Sequence, residues 1–121
     1  MEREIKLEPT ARSPREARRF VSHHLKMLGY SQLVETGELI VSELVTNSLA
    51  AAPNSPLWVD IRRAGLCVLL EVWDCSPESP VFQPPDFLAE GGRGMHIVNT
   101  FSKKIGCDTF AYGKVVWVLL E

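Results

Sequence analysis

Several kinds of protein are excluded by what this 121-residue chain has little of. It has three cysteines, Cys67, Cys75 and Cys107, which form no C-x-x-C pair and cannot all pair with one another. That usage fits a reducing compartment. No group of Cys and His has the spacing of zinc ligands, so no structural zinc is expected. No apolar run approaches ~18 residues, and Met1-Glu2-Arg3-Glu4 holds none of the apolar stretch a secretory leader needs. The expectation is a soluble, cytoplasmic chain without membrane contact. There is no basic excess either. Thirteen Lys and Arg face fifteen Asp and Glu, a net charge of −2, which argues against direct binding of DNA or RNA. A nucleotide is still allowed, because backbone N–H groups and a metal can hold its phosphates. Internal repeats and low-complexity tracts are absent.

What is present suits one domain over residues 1–121, long enough to bury a core. Glu4–Glu8 alternates polar and apolar, which predicts a half-buried strand. Ser13-Pro14 reads as N-cap and first helical residue, and Ala17, Phe20, Val21, His24, Leu25 and Leu28 share one face before Gly29 ends the helix. His24, on that face, is expected to pack in the core. A second helix is predicted from about Leu33 to Ala52, stopped by Pro53. Leu57–Arg63 and Leu66–Trp73 read as strands joined by a tight turn at Arg63-Ala64-Gly65. From Cys75 to Gly94 the pattern collapses into Pro and Gly, a long loop of the kind that serves as a functional lid. A third helix is expected to follow, with Met95, Val98, Phe101 and Ile105 inward, Lys103 and Lys104 in its last turn and Gly106 at its stop. Thr109–Tyr112 and Lys114–Leu120 close the chain as a hairpin around Gly113. Paired strands not alternating with helices predict an α+β fold: a two-layer sandwich of a mixed, mostly antiparallel sheet with three helices on one face.

Three places could carry chemistry. Glu43 and Asn47 are spaced i, i+4 on the second helix, so they stack along one edge of its apolar stripe; on the helix alone a solvated flank is the plainer reading. Asp74 ends the apolar run V-L-L-E-V-W where the long loop begins. There its carboxylate could accept from a ligand amine, or form an Asx-turn into Ser76-Pro77. Gly91-Gly92-Arg93-Gly94 opens the third predicted helix. Its glycines admit close backbone approach, its free N–H groups attract phosphate, and Arg93 adds a charged donor; a hinge is the plainer reading. The chain has neither G-x-x-x-x-G-K-[ST] nor G-x-G-x-x-G, which excludes a P-loop and a dinucleotide fingerprint. Trp58, Trp73 and Trp117 are expected in core or interface, and Arg12, Arg15, Arg18 and Arg19 on a solvated face or a partner-binding patch.

The order of these motifs is more telling than any one of them. E-x-x-x-N on a helix, a strand ending in Asp, a long lid and G-R-G-M opening a helix resemble the histidine-kinase-like ATPase (GHKL) family. Within it, E-L-V-T-N, W-D-C-S-P, G-R-G-M-H-I-V and G-K-V-V-W are similar to the branch of small anti-sigma-factor serine-protein kinases, along nearly the whole chain. The resemblance implies ATP and Mg²⁺ as cofactors. It gives Asn47 the metal, Asp74 and Ser76 the adenine end, and Gly92, Arg93, Gly94 and Met95 the triphosphate beneath a lid over about residues 76–93. It makes Glu43 the catalytic residue that orients or deprotonates the attacking hydroxyl. It further implies a sigma factor and a STAS-domain anti-anti-sigma protein as partners, with a homodimer among the assemblies allowed. The sequence departs from the family's pattern at Ser76 and Glu78, where glycines are expected, and at Ala50 and Ala51, where relatives often carry basic or His side chains. It also has Val115 where a Thr often faces the nucleotide. Two readings follow: a serine/threonine protein kinase, or a catalytically inactive ATP-binding partner-switch protein. A plain α+β interaction module is the third.

Overall fold

The computed structural model describes residues 4–76 and 102–121. Within them the chain runs β1 (Glu4–Leu7), α1 (Ser13–Met27), a short 3₁₀ turn (Ser31–Leu33), α2 (Val34–Ala51), β2 (Leu57–Ala64), β3 (Cys67–Asp74), β4 (Lys104–Phe110) and β5 (Gly113–Leu120). The five strands form one sheet in the order β1-β2-β3-β5-β4. All four pairings are antiparallel, so the expected mixed sheet is corrected to a purely antiparallel one among the described residues.

Among the described residues both helices cover the same face of the sheet. Leu7, Leu57, Val59, Ile61, Val68, Leu70, Val72, Val116, Val118 and Leu120 alternate along their strands and join Ala17, Val21 and Leu25 of α1 and Ile40, Val41, Leu44 and Val45 of α2 in a single core. Strand side chains point to opposite faces in turn, so this alternation assigns both helices to the same side. Gly37 lets the helices close up: a Cβ there would come within 2.7 Å of Leu25 Cδ1. Arg18 adds a cross-link, its Nη1 donating to Ser42 Oγ at 2.9 Å. His24 is buried beneath Phe20, as expected, with Nδ1 3.0 Å from the Phe20 carbonyl oxygen.

Two boundaries differ from the sequence reading, and the stop at Gly29 agrees with it. Arg12, not Ser13, is the N-cap of α1. The Ser13 hydroxyl turns back to the connection from β1, accepting from Thr10 N–H at 3.2 Å and donating to the Glu8 carbonyl. At the other end Gly29 (φ +89) closes a Schellman motif, with Tyr30 N–H donating to Leu25 O and Gly29 N–H to Lys26 O. Arg63 seals it, donating to Leu28 O at 2.6 Å with its guanidinium over the Tyr30 ring. The β2–β3 turn is Gly65-Leu66, one residue later than expected, with the positive φ at the first position only, as a type II′ turn requires.

The largest correction concerns the third helix. Among the described residues there are two α-helices, not three. The proposed start of the third, including Met95 and Val98, lies outside the described residues, and its expected last turn is strand: Lys104, Ile105 and Gly106 belong to β4. Ile105 and Cys107 face the core from alternate positions, and Gly106 lies under the Trp117 ring, where a Cβ would collide with the indole. This glycine makes room for a neighbour; it does not end a helix.

Candidate functional site

Asp74 is the last residue of β3, and register places it directly opposite Lys114, the second residue of β5. Both belong to the same alternation as Val72 and Val116, so both point to the helix-covered face at one end of the core. There the apolar packing gives way to a closed ion pair. Lys114 Nζ lies 2.9 Å from Asp74 Oδ1 and 2.8 Å from Oδ2, and 3.5 Å from the Ser76 carbonyl oxygen. The Ser76 N–H donates to Oδ1 at 2.9 Å, which is the Asx-turn geometry. The side chains of Lys114 and Asp74 are 4% and 1% exposed. A charged pair this deep is tolerated only where geometry and further hydrogen bonds offset desolvation, and here both conditions are met.

The sequence reading located Asp74 and Ser76 and missed Lys114. It also noted Val115 as a departure, at the place where relatives often carry a Thr that faces the nucleotide. Val115 pairs with Trp73, one step out of phase with Asp74, and is buried on the opposite face of the sheet. The residue of β5 that faces Asp74 is Lys114. Gly113 precedes it because the strand passes against the Asp74 carbonyl, leaving no room for a side chain.

Glu43 and Asn47 are both half-buried on α2, one turn apart, beside the buried Leu44 and Ser48. Only the short segment 52–56 separates α2 from β2. Leu57 therefore starts β2 near the C-terminal half of α2, at the sheet end where Trp58 pairs with Trp73 and β3 terminates. Asn47 and Asp74 thus belong to the same end of the molecule. Ala50 and Ala51, which follow Asn47, are exposed. The segment about 76–93 read as a lid lies outside the described residues except for Ser76, and so do Gly92, Arg93, Gly94 and Met95.

At the same end, a cavity of about 430 Å³ is lined by Glu4, Trp58, Trp73, Asp74, Cys75, Phe110, Tyr112, Gly113 and Lys114. Trp58, Trp73 and Phe110 belong to the face of the sheet away from the helices, and Trp73 and Phe110 stack with centroids 5.9 Å apart. Neither Glu43 nor Asn47 lines this cavity, so it is not the pocket that the motif order predicts.

An antiparallel five-stranded sheet backed by helices, with a buried carboxylate ending an interior strand, has the architecture of a GHKL-type α+β sandwich. Comparison with protein families bears this out. The histidine kinase-like ATPase domain matches residues 7–120, almost the whole chain, and the protein belongs to that family. The family membership suggests ATP binding. Comparison with curated proteins returns no match. No helix among the described residues is long and apolar enough to cross a membrane.

Proposed function

We propose that this protein is an ATP- and Mg²⁺-binding regulator of the anti-sigma serine-protein-kinase type, which phosphorylates a STAS-type antagonist and binds a sigma factor. The observation that carries the reading is the buried carboxylate of Asp74 at the end of β3, within a chain that belongs to the ATPase family over nearly its full length. In this reading Asp74, with Ser76 beside it, receives the adenine 6-amino group. Asn47 offers one amide oxygen to Mg²⁺, a cation that commonly takes only one or two protein ligands and completes its shell from phosphates and water. Gly92, Arg93, Gly94 and Met95 would surround the triphosphate. Glu43, one turn before Asn47, would orient or deprotonate the antagonist's hydroxyl.

The alternative reading, an ATP-binding partner switch without phosphoryl transfer, draws support from Ala50 and Ala51. These small exposed side chains beyond Asn47 offer no charged group to a phosphoryl in transit. A transfer assay with radiolabelled ATP and a STAS-type protein separates the two. General-base assistance is typically worth about 10²–10⁴ in rate. Glu43→Gln should therefore slow transfer at least about a hundred-fold while leaving ATP affinity within about three-fold, under ~1 kcal/mol. No transfer by the unaltered protein to any such candidate favours the partner switch. Loss of ATP binding in Glu43→Gln, with transfer per bound nucleotide unchanged, moves Glu43 into the binding shell.

A further inference from the structure

The carboxylate assigned to the adenine amine is not an open acceptor. A carboxylate offers about four lone-pair sites and an ammonium three protons. At Asp74, Oδ1 already accepts from Ser76 N–H and from Lys114 Nζ, and Oδ2 accepts from Lys114 Nζ as well. The third ammonium proton has the Ser76 carbonyl oxygen within reach. Lys114 thus spends its whole donor capacity on the Asp74–Ser76 corner, at a depth where water screens little. Such a lysine is costly to bury, and a hydroxyl or an apolar residue would fit the alternation of β5 at lower cost.

We propose that Lys114 is a specificity-determining residue of the nucleotide site: as the resident counter-ion of Asp74, it competes with the purine 6-amino group for the carboxylate. The inference rests on the ATP-binding reading above. A neutral amine approaching Asp74 meets an anion whose charge is already balanced, and it gains only the remaining lone pair of Oδ2 or must displace an ammonium. The 6-amino group therefore contributes little to affinity in this protein, and binding depends on the rest of the nucleotide. Removing the charge at position 114 frees the carboxylate to read the base.

The test compares ATP with purine riboside triphosphate, which lacks the 6-amino group, by equilibrium titration in the full chain and in Lys114→Thr, Lys114→Gln and Lys114→Arg. In the unaltered protein the two ligands should bind within about three-fold of each other. In the Thr and Gln variants ATP should bind about ten-fold tighter than the deamino analogue, and tighter than to the parent. Lys114→Arg, which keeps the charge, should behave as the parent does. A parent preference for ATP above three-fold overturns the proposal, and that measurement needs no variant to fold. So does a folded neutral variant that shows no new preference; a purely structural lysine would lower the melting temperature without moving the ratio. If ATP binds throughout but the ratios fail, Lys114 loses its role and the ATP reading stands. If no triphosphate binds the parent or any variant, both fall together.

Discussion

The two faces of the sheet each carry an ion pair, and the pairs are built on different terms. On the helix-covered face Asp74 and Lys114 pair at 2.8 Å, nearly inaccessible, at the end of rows of aliphatic side chains. On the other face Arg62 reaches Glu71 at 3.1 Å and Asp60 at 3.3 Å while its own side chain is 49% exposed. Register explains why Arg62 serves two acceptors: Glu4, Asp60 and Glu71 lie in one cross-strand row, so like charges sit side by side. Burial, above all, and a hydrogen bond with Asp60 push the Glu71 carboxyl above its ordinary value, and Arg62 only partly offsets them. The covered face has resolved its charges into a matched pair, whereas the open face leaves a surplus of carboxylates to share one guanidinium. A site for a charged ligand is more readily tuned by the first arrangement, where a single side chain sets the balance.

The largest break in this comparison comes from removing one partner of the buried pair. Asp74→Ala leaves an ammonium buried without its anion and should cost about 3–5 kcal/mol in chemical denaturation. Replacing both partners, as Asp74→Leu with Lys114→Met, should cost less than Asp74→Ala alone. Arg62→Ala on the open face should cost no more than about 1 kcal/mol, since exposed pairs contribute little. Equal costs for Asp74→Ala and Arg62→Ala would show that the two faces do not differ in screening.

Adjacent leucines of β3 sharpen the contrast for apolar groups. Leu70 is fully buried under the helices, and Leu69 is half-buried on the other side. Leu70→Ala should cost about 2–5 kcal/mol, as large-to-small changes in cores do. Leu69→Ala should cost on the order of 1 kcal/mol or less. Parity between them in urea unfolding would mean that something covers the second face in solution.

The smallest effect expected is one of pH. A carboxyl raised in the folded state favours the protonated fold. Its contribution to stability is present below the ordinary value of 4.5 and is lost as pH rises through the raised one. Relative to Glu71→Gln, the parent should therefore lose stability as pH rises from the ordinary value of 4.5 through the raised one. Denaturation curves of both proteins across that range check the sign, and a parent that gains on the variant as pH rises contradicts it.

Much of the fold was legible because its signals are local. The period of two in L-W-V-D-I and the period of 3.6 in α1 each imply a face without knowledge of the partner. The final hairpin was legible for the same reason, although its turn is Ala111-Tyr112, just before Gly113. What failed depended on neighbours distant in sequence. Gly106 and the two lysines before it look like a helix ending until Trp117 is laid across them. Asp74 was found from its place at a strand end, but its partner lies 40 positions away. A signal for it did exist. Lys114 has the parity of Val116, Val118 and Leu120, and a lysine in an inward row calls for a carboxylate in the inward row beside it.

The order of strands has a consequence for the time at which the molecule can assemble. β5 comes last in this sequence, yet it sits inside the sheet, between β3 and β4. During synthesis β1, β2 and β3 can pair as soon as they emerge, but the far edge of β3 has no β5 to pair with until the chain reaches Leu120. At roughly 5–20 residues per second the exposed edge persists for on the order of a few seconds. For most of that interval Asp74 has been made and Lys114 has not. The acid at the end of β3 therefore stays in contact with water until the last hairpin docks and its counter-ion arrives with it.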